Sequence, residues 1–391
     1  MKRTSLLLGV LSFVCSLSLQ AQDAEAWVGL PLRFDTPGAR SLGMGAAAVA
    51  VTDDAALAAV NPAALASVGK RTFAAEYRDR RNTARFSNQG SVTELTSAQG
   101  GVSSAVLVLP QETFTWAAFY DEPINASARN ISLPSGTAFV PARSDVRLRR
   151  YGVAAAWKRG KLSAGGALRY DSLRLLSGWY TMQPVPGVAT PAQYQRVRSG
   201  EFTYNAGVQW QAAPALKVGA VYARGAHYEA LRQVDGGPGF VPPFIYFTQF
   251  RTPSSLGAGA SWSASRNVTL AADAVRVHYA EMTPGATFVI VAVGGVPPVV
   301  MHDATELHAG AEYRVTPLVA LRAGWWRDPA HGPVALGGPY DQITQAALQP
   351  DADENHVTAG VGIGSERLRF DAAYDHGERT RRASVGVATT F

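Results

Sequence analysis

The sequence predicts an all-β fold, an outer-membrane antiparallel barrel of about fourteen strands with an N-terminal hatch in the lumen. Three observations predict the barrel: a period of two in apolar residues from residue 71 to the end, connections that alternate between short and mostly long, and aromatic residues recurring at strand ends.

The chain opens with Lys2 and Arg3, an apolar core from Leu6 to Leu19, and small or polar residues at Gln20, Ala21 and Gln22. This is the layout of a cleaved secretory signal peptide over 1–21, too short and wrongly flanked for a membrane anchor. The single cysteine, Cys15, lies inside that leader behind Ser12-Phe13-Val14, which lacks the small residue a lipoprotein signal places ahead of its cysteine. The mature chain therefore carries neither a disulfide nor a thiol nucleophile. Loss of Lys2 and Arg3 leaves 34 basic against 30 acidic residues. The pI of about 9.5 marks a nucleic-acid binder only if the charge is clustered. Here basic residues are scattered, with local runs only at Arg147–Arg150 and Arg379–Arg382, so no nucleic acid is expected as a partner.

Residues 71–391 form the predicted barrel. In the last strand Ala383, Val385, Val387 and Phe391 share one face, and Arg382, Ser384, Gly386, Ala388 and Thr390 the other. The same pattern holds for Phe202–Trp210, Leu216–Tyr222 and Leu368–Tyr374. Strands are expected to begin near 71, 101, 114, 147, 161, 201, 215, 250, 267, 302, 318, 356, 368 and 381. An even count, short turns such as Arg159-Gly160 and Thr316-Pro317, and longer opposite connections favour a membrane barrel over a soluble sandwich. Tyr77, Trp116, Tyr151, Tyr170, Tyr222, Trp262, Tyr313 and Tyr374 suit an interfacial girdle. A terminal Phe391 resembles the closing signature of such barrels. No apolar run approaches the ~18 residues of a spanning helix; Ala286–Met301 is broken by glycines and prolines. Around Asp273 the apolar parity shifts, from Val268 and Leu270 to Val275 and Val277, which predicts either a bulge or a strand leaving the lipid zone.

Residues 22–70 do not join this train. Gly38-Ala39-Arg40-Ser41-Leu42-Gly43-Met44-Gly45, then Asp53-Asp54-Ala55 and Asn61-Pro62-Ala63, precede the first strand in a stretch of low charge that could pack inside the barrel or hang in the periplasm. In this order the motifs resemble the FadL family of outer-membrane transporters for hydrophobic compounds. The likeness spans the mature chain in order and strand count, and is sharp only over Gly38–Leu65. It implies a monomeric fourteen-stranded barrel plugged by residues 22–70, with long-chain fatty acids or aromatic hydrocarbons captured outside. It also implies their release sideways through a gap at a kinked third strand. The family's Asn-Pro-Ala lands on Asn61, Pro62 and Ala63, read as structural, with Asn61 bonding backbone where the hatch meets the wall.

Candidate ligand residues follow. In the third strand Asp121-Glu122-Pro123 interrupts good alternation, and proline cannot donate to a ladder, so the strand kinks here or ends at Tyr120; the family's kink instead uses Asn and Gly. Phe240, Phe244, Ile245, Tyr246 and Phe247, between strands seven and eight, and Phe288 and Ile290, between nine and ten, make external connections unusually apolar. Exposed apolar patches mark binding sites; the alternatives are loops packed as a lid, or longer strands. Arg169, Lys217 and Arg322 are the candidate cations for an anionic head group. His302, Asp303, Glu306 and His308 are spaced loosely for one ion and read as ordinary lumen polars, so neither metal nor cofactor is expected. No nucleophile elbow, zinc-protease motif or phosphate loop occurs, so no enzyme is expected. The functional expectation is passive uptake of a hydrophobic small molecule, with outer-membrane lipid as surroundings. The alternatives are a surface-protein shuttle of a secretion system and a general porin.

Overall fold

The computed structural model describes residues 22–23, 33–88, 91–135, 138–180, 192–234, 244–284, 286–287, 299–336 and 351–391. Fourteen antiparallel strands close into one barrel. They are β1 (Thr72–Asn88), β2 (Ser91–Pro110), β3 (Phe114–Ser135), β4 (Ala138–Arg159), β5 (Leu162–Tyr180), β6 (Ala192–Ala213), β7 (Leu216–Ala223), β8 (Ser255–Ser263), β9 (Val268–Val277), β10 (Ala304–Thr316), β11 (Val319–Asp328), β12 (Glu354–Gly364), β13 (Leu368–His376) and β14 (Thr380–Thr390). Each pairs with its sequence neighbour, and β14 closes on β1 through Thr72↔Thr390 to Asn82↔Thr380. The tight turns and Phe391 lie at one end, here the turn end; the longer connections lie at the loop end.

The sidedness is inverted relative to a soluble protein. Outward residues are apolar yet exposed, as Val357, Phe370, Val385 and Phe202 all are, while inward residues are polar yet buried, as Arg78, Asp171, His356 and Asp375 are. Such a surface is at low free energy only against hydrocarbon. The outward Leu162 and Trp210 are directly opposed, as are Tyr170 and Phe202 eight positions along β5. Eight residues of strand measure ~26 Å before tilt, close to the apolar band of a membrane barrel.

β1–β6 reach further toward the loop end than expected, the backbone ladder continuing beyond the stretches in which the sequence alternates cleanly. The eighth strand begins at Ser255, not near 250. His227–Val234 and Phe244–Arg251 instead pair with each other as a hairpin outside the barrel ladder. Asp273 causes no bulge: β9 keeps unbroken register with β8 and β10. The parity shift arises because Asp273 and Val277 both face the lumen, and the outward residues between them are the small Ala274 and Arg276, the latter paired with Asp303 at 3.6 Å beyond the apolar band. The leader falls outside the described residues.

Residues 33–70 lie within the cylinder. The helix α1 (Ala39–Gly43) touches β11, β12, β13 and β14, and the 3-10 turns at Ala55–Ala59 and Pro62–Ser67 touch β1 through β6 between them. At the turn end their packing is apolar: Ala55, Ala58 and Leu65 against Val106, Val108, Phe119 and Ala154, and Met44, Ala47 and Leu57 against Ala271. Each side chain of Leu or Phe size removed from water contributes ~1.5–3 kcal/mol.

Candidate functional site: a break in the wall beside the lumenal segment

β2 and β3 are paired only from Pro110↔Thr115 to Ser104↔Asp121. Beyond Asp121, β3 does not end. It runs on to Ser135 paired with β4 alone, while the facing stretch of β2, Ser91 to Val102, is paired with β1 alone among the described residues. Two irregularities turn the strands apart at this level. Glu122 and Pro123 are skipped in the β3–β4 register, and Ser103 is skipped between β2 and β1. Proline supplies no N–H for the ladder, which fits its place at the departure point.

The backbone acceptors freed by the break are not left bare. The amide of Asp35 donates to the Pro123 carbonyl at 2.9 Å, and Arg80 Nη2 donates to the Glu122 carbonyl at 2.8 Å. The Glu122 carboxylate, buried in the break, accepts from Asn125 Nδ2 at 2.7 Å. It also lies 3.4 and 3.3 Å from the outer-face Arg147 and Arg149. Asp35 lies between Arg78 at 3.4 Å, Arg382 at 3.0 Å, and Arg80. Burial raises its proton affinity, but the three guanidiniums outweigh burial and hold the carboxyl well below the usual carboxylate range. Arg80 and Arg382 are directly opposed in the β1–β14 ladder, and Asp35 relieves their repulsion.

The lumen changes character at the same height. Asp121, Arg150 and Asp171 are directly opposed on β3, β4 and β5. Toward the loop end from this row the inward residues are apolar and buried: Ile124, Val146, Leu148, Leu173 and Leu175. Tyr228 and Phe250 of the hairpin, Tyr279 and Met282 are buried too, and Phe34 lies between Tyr279, at 6.5 Å, and Arg150, at 6.0 Å. Arg150 reaches its carboxylates only loosely, at 3.8 Å to Asp121 and 3.5 Å to Asp171. Both Asp171 oxygens, Asp121 Oδ1 and the Tyr228 hydroxyl have no hydrogen-bond partner among the described residues. Such groups cost free energy unless water or a ligand engages them.

Asn61 is fully buried. Its Oδ1 caps the following turn by accepting from the Ala63 amide at 3.1 Å, and its Nδ2 donates to the Val49 carbonyl at 2.7 Å. Pro62 and Ala63 lie against Gly165 of β5, and Asn61 against Gly207 of β6, where any side chain would collide. Asp273 holds the same segment from the other side, accepting from the amides of Val49, at 2.9 Å, and Ala48.

The three candidate cations are engaged. Arg322 pairs with Glu312 at 2.7 Å and Asp371 at 2.8 Å, and Glu312 also pairs with Arg40 at 2.8 Å. Lys217 donates to Thr52 Oγ1 at 2.6 Å, and Arg169 to Thr203 Oγ1 and the Arg224 carbonyl. Of the apolar connection residues, Phe244, Ile245, Tyr246 and Phe247 belong to the hairpin strand by backbone, while Phe240, Phe288 and Ile290 lie outside the described residues. His302 is exposed and His308 buried, with His308 Nδ1 at 2.9 Å from the Gly45 carbonyl; no metal-holding group of three donors occurs among the described residues. Asp35, Arg80 and the lumenal Leu148–Leu173–Leu175 patch were not singled out from sequence. The one available signal was leucines on both parities of β5, at 173, 175 and 176.

No protein-family model matches this sequence, and no curated protein does either. Solved structures do. The Ralstonia pickettii toluene transporter TbuX superposes with a TM-score of 0.66 at 16% identity, over 92% of this chain and 99% of its own. A Pseudomonas aeruginosa FadL homologue gives 0.67 at 15%, over 93% and 99%. The Pseudomonas putida toluene transporter TodX gives 0.66 at 15%, over 92% and 99%. The barrel fold read from the strand pattern, and its likeness to FadL-type transporters, are thus matched along nearly the whole chain.

Proposed function

We propose that this chain is a passive outer-membrane channel for hydrophobic small molecules. They would be taken up at the loop end, which we assign to the cell exterior, and released sideways through the wall between β2 and β3. The observation that carries this reading is the loss of β2–β3 pairing beyond Asp121, beside a buried apolar stretch of lumen. A hydrophobic molecule crossing a polar periplasm-facing exit would have to re-enter water. An exit into hydrocarbon avoids that cost of ~0.8 kcal/mol for each CH₂. Residues 33–70 would act as the hatch, closing the straight path while leaving the lateral one. Solved neighbours that carry toluene make a hydrophobic cargo the first to test.

The state of the lumenal cations favours a neutral cargo over a fatty acid. Arg322 and Lys217 are bound to the barrel and hatch, and the row beside the apolar stretch holds two carboxylates to one Arg150. A carboxylate cargo would have to displace these existing partners to gain a counter-ion. We read the protein as a monomeric transporter without catalytic chemistry.

The test is uptake of radiolabelled toluene and oleate by a host deleted for its own channels and expressing this chain. Toluene uptake above the empty-vector control, with little gain for oleate, is expected. Equal uptake with and without the chain for both compounds would remove the proposal.

A further inference from the structure

Outside the barrel, on the face away from the lumen, three arginines stand in one line. Arg147 of β4 is directly opposite Arg174 of β5, which is directly opposite Arg198 of β6. Like charges opposed in a ladder repel, so such a line is destabilising unless an anion relieves it. Elsewhere this chain supplies the anion itself. Where Arg80 opposes Arg382 in the lumen, Asp35 bridges them, and where Arg81 opposes Arg381 outside, Asp79 lies 3.5 Å from Arg81. In the outer line only Arg147 has a carboxylate, Glu122 at 3.4 Å, shared with Arg149. Arg174 and Arg198 are exposed and make no ion pair with any described residue.

The height of the line says what the missing anion is attached to. Four positions nearer the turn end on the same three strands, and on the same face, lie Tyr151, Tyr170 and Phe202, again directly opposed. They are exposed apolar rings at the level where an interfacial girdle forms. Four residues of strand are ~13 Å before tilt, which sets the guanidiniums just outside the hydrocarbon and facing along the membrane. The outward positions between, Arg149, Ser172 and Gly200, are polar or small and leave the line accessible from the lipid side.

We propose that Arg147, Arg174 and Arg198 form a docking site for the phosphate groups of an outer-leaflet phosphoglycolipid. Guanidinium forks match phosphate oxygens in bidentate fashion, and a lipid whose chains lie on Tyr151, Tyr170 and Phe202 presents its phosphates at this height. The site adjoins the wall break through Glu122, so the docked lipid borders the exit into the outer leaflet. The inference rests on the membrane-facing reading of the outer surface and on the loop end being the cell exterior, but not on any cargo.

The test uses the full mature barrel purified in a mild detergent and native mass spectrometry. Diphosphoryl lipid A, its fully dephosphorylated form and inorganic phosphate are the added probes. Wild-type protein is expected to retain one diphosphoryl lipid A, at least about tenfold more strongly than the dephosphorylated form. R174Q/R198Q is expected to lose that preference, while R174K/R198K keeps part of it. Both variants change only exposed side chains, and R174Q/R198Q also relieves repulsion, so they should fold, as far-UV circular dichroism and heat-modifiable gel mobility would confirm. Equal retention of the two glycolipids, or an unchanged preference in R174Q/R198Q, overturns the proposal. So does displacement of the glycolipid by millimolar inorganic phosphate, which would identify a free-anion site. Toluene uptake is a separate readout, so its failure would leave this result standing.

Discussion

The amide of Asp35 donates to the carbonyl of Pro123 at 2.9 Å, joining the lumenal segment to the strand that leaves the wall. The segment inside the barrel therefore completes the backbone of the break, and the two cannot change independently.

Pro123→Thr tests the break. Threonine restores an N–H and favours extended backbone, letting β3 pair further along β2. Two regained ladder bonds at ~1 kcal/mol each would shift an open–closed equilibrium about 30-fold toward closed. Toluene uptake should fall, while far-UV circular dichroism and gel mobility stay those of the barrel. Uptake at the wild-type rate, with the same surface expression, would mean the gap is not the exit.

Asn61→Ala removes a cap and a buried hydrogen bond together, leaving the Val49 carbonyl and the Ala63 amide without their side-chain partner. A loss of about 1–3 kcal/mol is expected. It should appear as faster hydrogen exchange over residues 45–67 and as larger single-channel conductance in planar bilayers, with the strands still protected. Unchanged exchange in that segment would refute the anchoring role given to Asn61.

Glu312 accepts from Arg40 of α1 and from Arg322 of β11, so one carboxylate ties the lumenal helix to the wall. Glu312→Gln leaves two buried guanidiniums with too little negative charge; breaking such a pair costs about 3–5 kcal/mol. A double variant, E312L with R40L, removes charge from both sides and should recover much of the loss. Thermal unfolding in detergent, followed by gel mobility, measures both. Equal melting of E312Q and wild type would show that the pair holds nothing.

Much of the barrel was legible because hydrocarbon imposes a one-sided pattern on each strand: Val385 against Ser384, or Phe370 against Asp371, can be read residue by residue. The alternation fades toward the loop end, so the loop-end reaches of β2 and β4 and the hairpin at Phe244–Arg251 were not drawn from sequence. Asp121-Glu122-Pro123 marked where pairing would be disturbed, as a kink or as a strand end at Tyr120, since a missing N–H is a property of one residue. Its partner could not be found in the same way. Asp35 is an ordinary aspartate until folding sets it among Arg78, Arg80 and Arg382. Asp273 is intermediate: its odd parity was visible, and the reason, two amides of the lumenal segment, was not.

His331 makes one loop-end contact depend on pH. It lies in the connection after β11, with Nδ1 at 3.3 Å from Asp328 Oδ1 and its ring stacked on Tyr279 at 3.9 Å. Burial disfavours its charge, but the bond to Asp328, that carboxylate's field and the Pro329 carbonyl outweigh it and push the imidazole up to about 9. A raised value in the folded state contributes stability that is fully present below the unfolded value of about 6.5, and that is lost as pH rises toward 9. His331→Gln should therefore destabilise this connection by about 1–3 kcal/mol at pH 6, and by progressively less up to pH 9. Hydrogen exchange over residues 329–333, corrected for the intrinsic pH dependence, reads the difference directly. A gap between variant and wild type that stays constant from pH 6 to 9 would mean that His331 is held by its stack on Tyr279 and not by its charge.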